Sequence, residues 1–477
     1  MKGEVLLINP WIYDFAAYNF WMEPLGLLSI GGVLRENGYQ VRLIDCVVSA
    51  PPAKLRRYNT WKIPKQIIPK PPLLREIPRR YGRYGISPEG FLKSLRRGPR
   101  PDLVMVTSKM TYWYPGVFET IKAIRSIWGD VPIALGGTYA TLCYDHASEF
   151  SGADFVIRGE GEIEALKIAD EITGGSSKIE RYSLSDLDTL PEPAHDLMPR
   201  RNGSLPYIAL LTSRGCPMRC TYCASRLLHP LFRFRSPESV IAEIERCHVE
   251  FGVEDVAFYD DALLVKAEDH AIPILEMIIS RGIKVRFHTP NGLHASLITP
   301  EIAELMFRAN FKTVRLGLET ADEERLRVTG GKTSLDDFVR AIESLKRAGF
   351  TAEEIGAYVL AGLPGQDVHE VERTIHFVHR CGVQVKIALF SPIPGTEEWN
   401  RAVEELNFPP DADPLLHNNS IMPLMGEGER GEILRLKALS GRLNRDLLRG
   451  IIWREQGRRT LKVSRSSPHS ATVRPDR

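Results

Sequence analysis

YIALLTSRGCPMRCTYCAS, residues 207–225, runs from an apolar stretch into three cysteines, Cys216, Cys220 and Cys223, packed into eight residues. Read as a short buried strand, YIALLTS leaves the cysteines in the loop past its carboxyl end. From there strand and helix alternate for about six rounds. Strands are suggested at VEDVAFY, KVRFHT, KTVRLGLE, EEIGAYVLAG and VQVKIALFS, and between them apolar residues recur at three and four in stretches such as PESVIAEIERCHVEF and LDDFVRAIESLKRAG, several of which close at glycine. Repeated units of this kind build a full or partial (β/α) barrel over 205–400, whose active face is made by the loops that follow the strands. The thiols therefore sit at the catalytic end. Structural zinc wants four protein ligands, and His229 could complete C-x3-C-x2-C-x5-H. A [4Fe–4S] cluster takes one thiolate per iron, so three cysteines leave one iron open to a substrate or cofactor. The spacing and the barrel setting favour the cluster, with zinc as the alternative.

Upstream the pattern is also α/β. Val5–Ile8 reads as a strand, Pro24–Asn37 as a helix closed by Gly38, QVRLIDC as a strand, and the alternation resumes at Leu103–Ser108, Pro132–Gly137 and Ala153–Glu162. Strict succession implies a doubly wound parallel sheet over 1–170, which binds ligands outside the carboxyl ends of its strands. The loops there are NPWIYDF, SKMTYWYPG, LGGTYAT and RGEGE, rich in glycine, which lets backbone approach a ligand, and in flat aromatics. Residues 51–100 interrupt the alternation with fourteen Lys and Arg against two Asp and Glu. They are read as an ordered insertion near the active site ahead of a nucleic-acid surface, and their prolines argue against a long helix. Residues 171–204 read as a connector that can return a strand to the first sheet. Residues 401–456 read as a helical region whose leucines and isoleucines pack on the barrel, and 457–477 as a disordered polar tail.

Composition sets limits. A chain of 477 residues with 43% hydrophobic and 26% charged residues holds more than one core. A net charge of +2 argues against a protein that is wholly a nucleic-acid or membrane-surface binder. The first residues lack a signal-peptide core or a spanning helix, which suggests a cytoplasmic protein. Seven cysteines, sparse outside the cluster, do not suggest a disulfide framework, and Cys247 and Cys381 read as core residues.

These pieces carry a resemblance. C-x3-C-x2-C with Tyr222 before the third cysteine, after the first barrel strand, resembles the signature of the radical SAM superfamily, whose open iron binds S-adenosylmethionine. AFYDDALL (257–264), with Asp260 and Asp261, is similar to the family's segment that reaches the SAM amino group. VRLGLET (314–320) is similar to the one whose acid, here Glu319, reaches the ribose, and YVLAGLPGQ (358–366), with Gly362, to the one beside the adenine. Gln366 departs from the acid many relatives carry, and SPIPGTEEW (391–399) resembles the family's close after the sixth strand. PLGLLSIGGVLRENGYQVRLID, LGGTYAT and VIRGEGE resemble the cobalamin-binding domain that precedes the barrel in the B12-dependent branch. The resemblance implies a Rossmann-like first domain, a partial (β/α)6 TIM barrel and a helical carboxyl-terminal region. It implies a corrinoid near Pro10, Trp113, Tyr114, Gly136, Gly137, Thr138 and Glu160. The D-x-H-x-x-G that supplies an axial histidine is absent, as is common in this branch, and Asp145-His146 does not fit it.

The resemblance further implies reductive cleavage of SAM to a deoxyadenosyl radical, methyl transfer through cobalamin to an unactivated carbon of a small substrate, and an external electron donor such as flavodoxin or ferredoxin. Three other readings compete with it. A radical SAM cyclisation or rearrangement would use the same barrel without methyl transfer. A tRNA methylthiotransferase would explain the basic insertion, but needs three further cysteines in the first domain, where only Cys46 and Cys143 stand. A non-enzymatic zinc or iron-sulfur module explains the cysteines but not acids at successive strand ends.

Overall fold

The computed structural model describes residues 2–450 apart from 51 and 53. The expected disordered tail at 457–477 lies outside them, as do residues 451–456 of the expected helical region. Val5 to Ile8, fully buried, form an interior strand of the first sheet because an apolar run of this length suits a strand covered on both faces. Its strands are β1 (Glu4–Asn9), β2 (Gln40–Asp45), β3 (Leu103–Val106), β4 (Ile133–Leu135) and β5 (Phe155–Val156), all parallel, in the order β5-β4-β3-β1-β2. The direction of winding reverses between β1 and β3, so the crevice for a ligand opens there. Helix α1 (Leu25–Glu36) opens after Pro24, and Gly31 and Gly32 let the connector lie on it: a Cβ on Gly32 would stand 2.4 Å from the Glu192 carbonyl oxygen. The connector forms short 3-10 turns at Ile179–Arg181, Leu187–Thr189 and His195–Leu197 and adds no strand to the sheet.

The barrel has the six expected strands: β6 (Ile208–Leu210), β7 (Asp255–Phe258), β8 (Arg286–His288), β9 (Phe311–Glu319), β10 (Ile355–Ala361) and β11 (Gln384–Leu389), all parallel. A two-residue strand, Leu293–His294, also pairs with β9. Val314, Leu316 and Leu318 on β9 are wholly buried, packed in one core with Phe338, Ala341 and Leu345 of helix Leu335–Ala348. Their alternates, Arg315 and Gly317, therefore face the lumen. Helix Glu427–Leu448 packs on β11 as its leucine spacing suggests, and Asn444 brackets Val385 by bonding both its N–H and its carbonyl at 2.8 Å. No helix among the described residues is long and apolar enough to cross a membrane.

Two stretches differ from the sequence reading. The basic segment 51–100 ends in a regular helix, Pro88–Arg97, capped by Ser87, which accepts from Gly90 N–H at 3.1 Å. It is the crossover from β2 to β3, and its three basic residues conceal the apolar face at Phe91 and Leu95. The earlier part lies along the open side of the barrel. Trp61 is wholly buried in the barrel core, Arg57 pairs with Glu353 at 2.8 Å, Asn59 donates to Asp255 at 2.8 Å, and Arg79 donates to the Ser420 carbonyl at 3.2 Å. Residues 407–426, expected within a helical region, are largely irregular and return to the first domain. There Leu415 and Ile421 join its core and Asn418 donates to Asp14 at 3.0 Å.

Connector and barrel meet at a buried charge cluster. His195, wholly buried, lies 3.0 Å from Glu23 Oε2 and 2.8 Å from Glu243 Oε1, and Arg235 pairs with Glu243. Burial by itself lowers an imidazole's pKa, but the two carboxylates outweigh it and raise His195 to about 10. A raised folded-state pKa contributes stability that is fully present below the ordinary value of 6.5 and is lost as pH climbs toward about 10. Urea unfolding should therefore show stability falling across that window, and His195→Gln should remove most of the fall; an unchanged slope contradicts the assignment.

Candidate active site

The cysteine loop leaves β6 through a turn that only glycine fits. Gly215 has φ +83°, and a Cβ there would stand 2.5 Å from the Leu231 carbonyl oxygen. Cys216 and Cys220 are half-buried and Cys223 is exposed. The loop is pinned between two distant segments. Thr221 donates to Glu398 Oε1 at 2.8 Å, Glu398 N–H donates to the Thr221 carbonyl at 3.2 Å, and Thr221 N–H to the Thr329 carbonyl at 3.3 Å. Gly330, at φ +120°, lets the next turn press on the loop, since a Cβ there would meet Arg219 O at 2.7 Å and Cys220 Cα at 2.9 Å. The SPIPGTEEW and RVTGGK segments thus form the seat of the cysteines.

Cys223 reaches solvent, yet the protein packed around its thiol desolvates it and pushes it up to about 11, and burial raises Cys216 also. Among the described residues no three of His, Cys, Asp and Glu converge on a point that would hold a single metal ion. His229, the candidate fourth zinc ligand, is engaged elsewhere, with Nδ1 2.8 Å from Glu160 Oε1. Three soft thiolates spread along one loop with no fourth ligand converging suit a cluster that takes one thiolate per iron. They do not suit closed tetrahedral zinc.

Around the loop stand the residues expected to hold SAM. Tyr222 has Lys332 Nζ 5.8 Å from its ring centroid, and Lys332 pairs with Glu319 at 2.7 Å. Burial would lower the lysine's pKa, but Glu319 and the thiols raise it, so the ammonium is kept. Glu319 stands at φ 72° where the β9–β10 register shifts, which turns its side chain out of the strand's alternation. The two aspartates part company. Asp261 Oδ2 accepts from Ser225 Oγ at 2.6 Å beside the cysteines. Asp260 is buried under the end of β6, where Oδ1 accepts from the N–H and hydroxyl groups of Thr212 and Ser213 at 2.6–3.0 Å and Oδ2 has no partner. Gly362, at φ +98°, begins a turn closed by Gln366, whose Oε1 accepts from Gly362 N–H at 2.8 Å. The glutamine that departs from the family pattern is a turn-builder.

At the carboxyl ends of the first sheet lies a cavity of about 300 Å³. Gly136, Gly137, Thr138 and Glu160 line it as expected, joined by Ser108, Lys109, Thr141 and, from the barrel, Arg214, His229 and Arg235. Gly137 is required by close packing, since a Cβ would meet Ser108 O at 2.3 Å, whereas Gly159 has nothing within 4 Å and offers bare backbone to a ligand. Pro10 and Trp113 line a separate small cavity of about 10 Å³, one water's room, which shares Ser108 and Lys109 with the first. Tyr114 lines neither. It stacks on Tyr139 at 5.7 Å and donates to Asp413 at 3.1 Å, holding the returning segment. His146 lies in the same aromatic group, 2.6 Å from the Tyr139 hydroxyl.

Sequence reasoning missed Arg214, which joins the two sites. It bonds Glu160 at 3.0 Å and Glu162 at 2.5 Å, and Glu162 also accepts from Ser29 at 2.8 Å. Arg233 and His229 complete the shell around Glu160. Burial alone would raise Glu160, yet these partners hold it down at about 2. The available signal was RGEGE followed later by basic residues flanking the cysteine loop, but pairing across 52 residues is invisible without the fold. Lys332 and His294, the latter 3.9 Å from Cys216 Sγ, were missed for the same reason.

Residues 210–378 match the Radical SAM superfamily and residues 82–168 match the B12 binding domain. An uncharacterized methyltransferase of Pyrococcus horikoshii is 26% identical over 326 residues, covering 64% of this chain and 70% of its own. The hopanoid C-3 methylase of Methylococcus capsulatus is 25% identical over 427 residues, covering 84% and 73%. Among solved structures, the radical SAM methyltransferase TsrM from Kitasatospora setae, with cobalamin and a [4Fe–4S] cluster bound, superposes with a TM-score of 0.62 at 18% identity, covering 85% of this chain and 75% of that one. At that identity the likeness is one of fold.

Arg214→Met would leave Glu162 buried without its counter-charge, a loss of about 3–5 kcal/mol. Chemical denaturation should read that loss, together with weaker iron retention in the adjoining cysteine loop. Wild-type stability and iron content in the variant would show that the link is incidental.

Proposed function

The chain belongs to the radical SAM superfamily, with a B12-binding domain ahead of its barrel, and we propose that it transfers a methyl group to an unactivated carbon of a small substrate. The observation that carries the proposal is the placement of two sites on one residue. Arg214 lines the first domain's cavity and, one glycine later, the chain enters the cysteine loop. A [4Fe–4S] cluster, SAM and cobalamin, once bound, supply hydrogen abstraction and a transferable methyl group.

The chain's part is binding and orientation. Cys216, Cys220 and Cys223 would hold the cluster as thiolates, giving up the protons that raised pKa values keep on the bare thiols at 216 and 223. Glu319, oriented by Lys332, presents a carboxylate oxygen to ribose hydroxyls, and Asp261 stands beside the thiols to receive an ammonium. The unpartnered Oδ2 of Asp260 is a second acceptor in reach of the end of β6. In the first domain Gly136, Thr138 and the bare backbone at Gly159 would take a large planar group, and His146, packed among aromatics, does not line that cavity. Support for methyl transfer, rather than cyclisation, comes from the relatives named as methyltransferase and methylase.

Protein reconstituted with cluster and cobalamin, reduced and turning over a substrate with SAM, should release both 5′-deoxyadenosine and S-adenosylhomocysteine, and Cys223→Ala should abolish the former. Deoxyadenosine without S-adenosylhomocysteine would replace methyl transfer by a cyclisation or rearrangement.

A further inference from the structure

Two cations face the barrel lumen with no acid to meet them. Lumen-facing residues of adjacent parallel strands lie in layers: Arg315, Gly356 and Gln384 are in register, and above them Gly317, Tyr358 and Lys386. Glu319 comes next on β9, so Lys386 and Arg315 lie about 7 and about 13 Å beneath the expected SAM site at 3.3 Å per residue. Glycine at 317 keeps the space between open on that strand.

The side chains converge. A Cβ built on Gly356 would stand 3.1 Å from Arg315 Nη1 and 3.3 Å from Lys386 Cε, so the two cations flank a position that carries no side chain. Arg315 Nη1 donates to the carbonyls of Val314 and Glu354 at 3.1 Å each, and Lys386 Nζ to Gln384 Oε1 at 2.7 Å. These are neutral acceptors, and neither cation forms a salt bridge among the described residues. Arg315 is half-buried rather than sealed in the core. The acid in this part of the lumen is already neutralised: Asp255 accepts from Arg286 at 2.6 Å, from Asn59 at 2.8 Å and lies 3.0 Å from His288. Burial and the neighbouring guanidinium lower Lys386 to about 8, the mark of a cation whose counter-charge is missing. Tyr259 donates to the Phe20 carbonyl at 2.6 Å.

We infer that Arg315 and Lys386 form an anion subsite in the barrel lumen, which takes a carboxylate or phosphate group of the substrate and sets its reacting carbon toward the Glu319 end. The inference rests on the reading of the lumen as a radical SAM substrate chamber. A planar two-donor guanidinium beside a point-charge ammonium suits an oxyanion with several acceptor oxygens. No covalent step is involved.

Lys386 itself is the reporter, because an amine with a pKa near 8 is labelled ahead of ordinary lysines. Reductive methylation of reconstituted protein, read by mass spectrometry at Lys386, should slow at least threefold in millimolar inorganic phosphate or in acetate, relative to chloride of matched ionic strength. Protection by phosphate alone assigns a phosphoryl substrate, and by acetate alone a carboxylate. Arg315→Gln should abolish the protection while retaining its iron; if that variant does not fold, the wild-type comparison decides. Equal labelling in phosphate, acetate and chloride overturns the subsite, as does full protection in Arg315→Gln. Iron content and deoxyadenosine release are read in parallel, so failure of the subsite is separable from failure of the radical SAM reading.

Discussion

The pairing of Arg214 with Glu160 and Glu162 is the constraint on which the rest depends. A guanidinium and two carboxylates, all nearly out of water, gain from one another only if their geometry is fixed, and removal of one partner leaves a buried charge. The first domain cannot rotate on the barrel without breaking this cluster. Because Arg214 immediately precedes Gly215 and Cys216, the same contact fixes where the cysteine loop starts. The second buried cluster, His195 between Glu23 and Glu243, holds the connector to both domains, and the returning segment at 407–426 holds the far side. The two candidate sites are thereby kept at a fixed separation, which is what chemistry between two bound groups requires.

The barrel is a partial one, and a six-stranded parallel sheet leaves an open side. Residues 17–22 and the basic segment up to about residue 84 cover it: Trp61 fills the gap near Tyr207, and Trp21 stacks on His288 with ring centroids 4.1 Å apart. The basic character of this segment is therefore partly structural. Arg57, Arg79 and Asn59 tie it to the barrel and to the returning segment, while its apolar alternates go inward.

Most of the architecture was legible because it is written in local periodicity. The five strands of the first sheet and the six principal strands of the barrel follow apolar runs whose length and glycine punctuation are local properties. The cysteine loop was legible for the same reason. What could not be read depends on pairing at long range. Asp260 and Asp261 are chemically identical neighbours, and only the path of the loop after β7 decides that one meets Thr212 and Ser213 while the other meets Ser225. Tyr114 and Trp113 look like ligand-covering aromatics, but they bond to Asp413 and Asp14, one of which belongs to a segment some 300 residues away. The helix at 88–97 was hidden because its amphipathic face is narrow and its composition basic.

The central claim is that one chain holds an iron-sulfur cluster and a corrinoid at sites joined through Arg214. Metal analysis of anaerobically reconstituted protein, made with cobalamin, tests it most directly. The account predicts about four irons, from one iron per thiolate plus the open one, together with one cobalt per chain. One zinc in place of iron, or iron without cobalt, would contradict it.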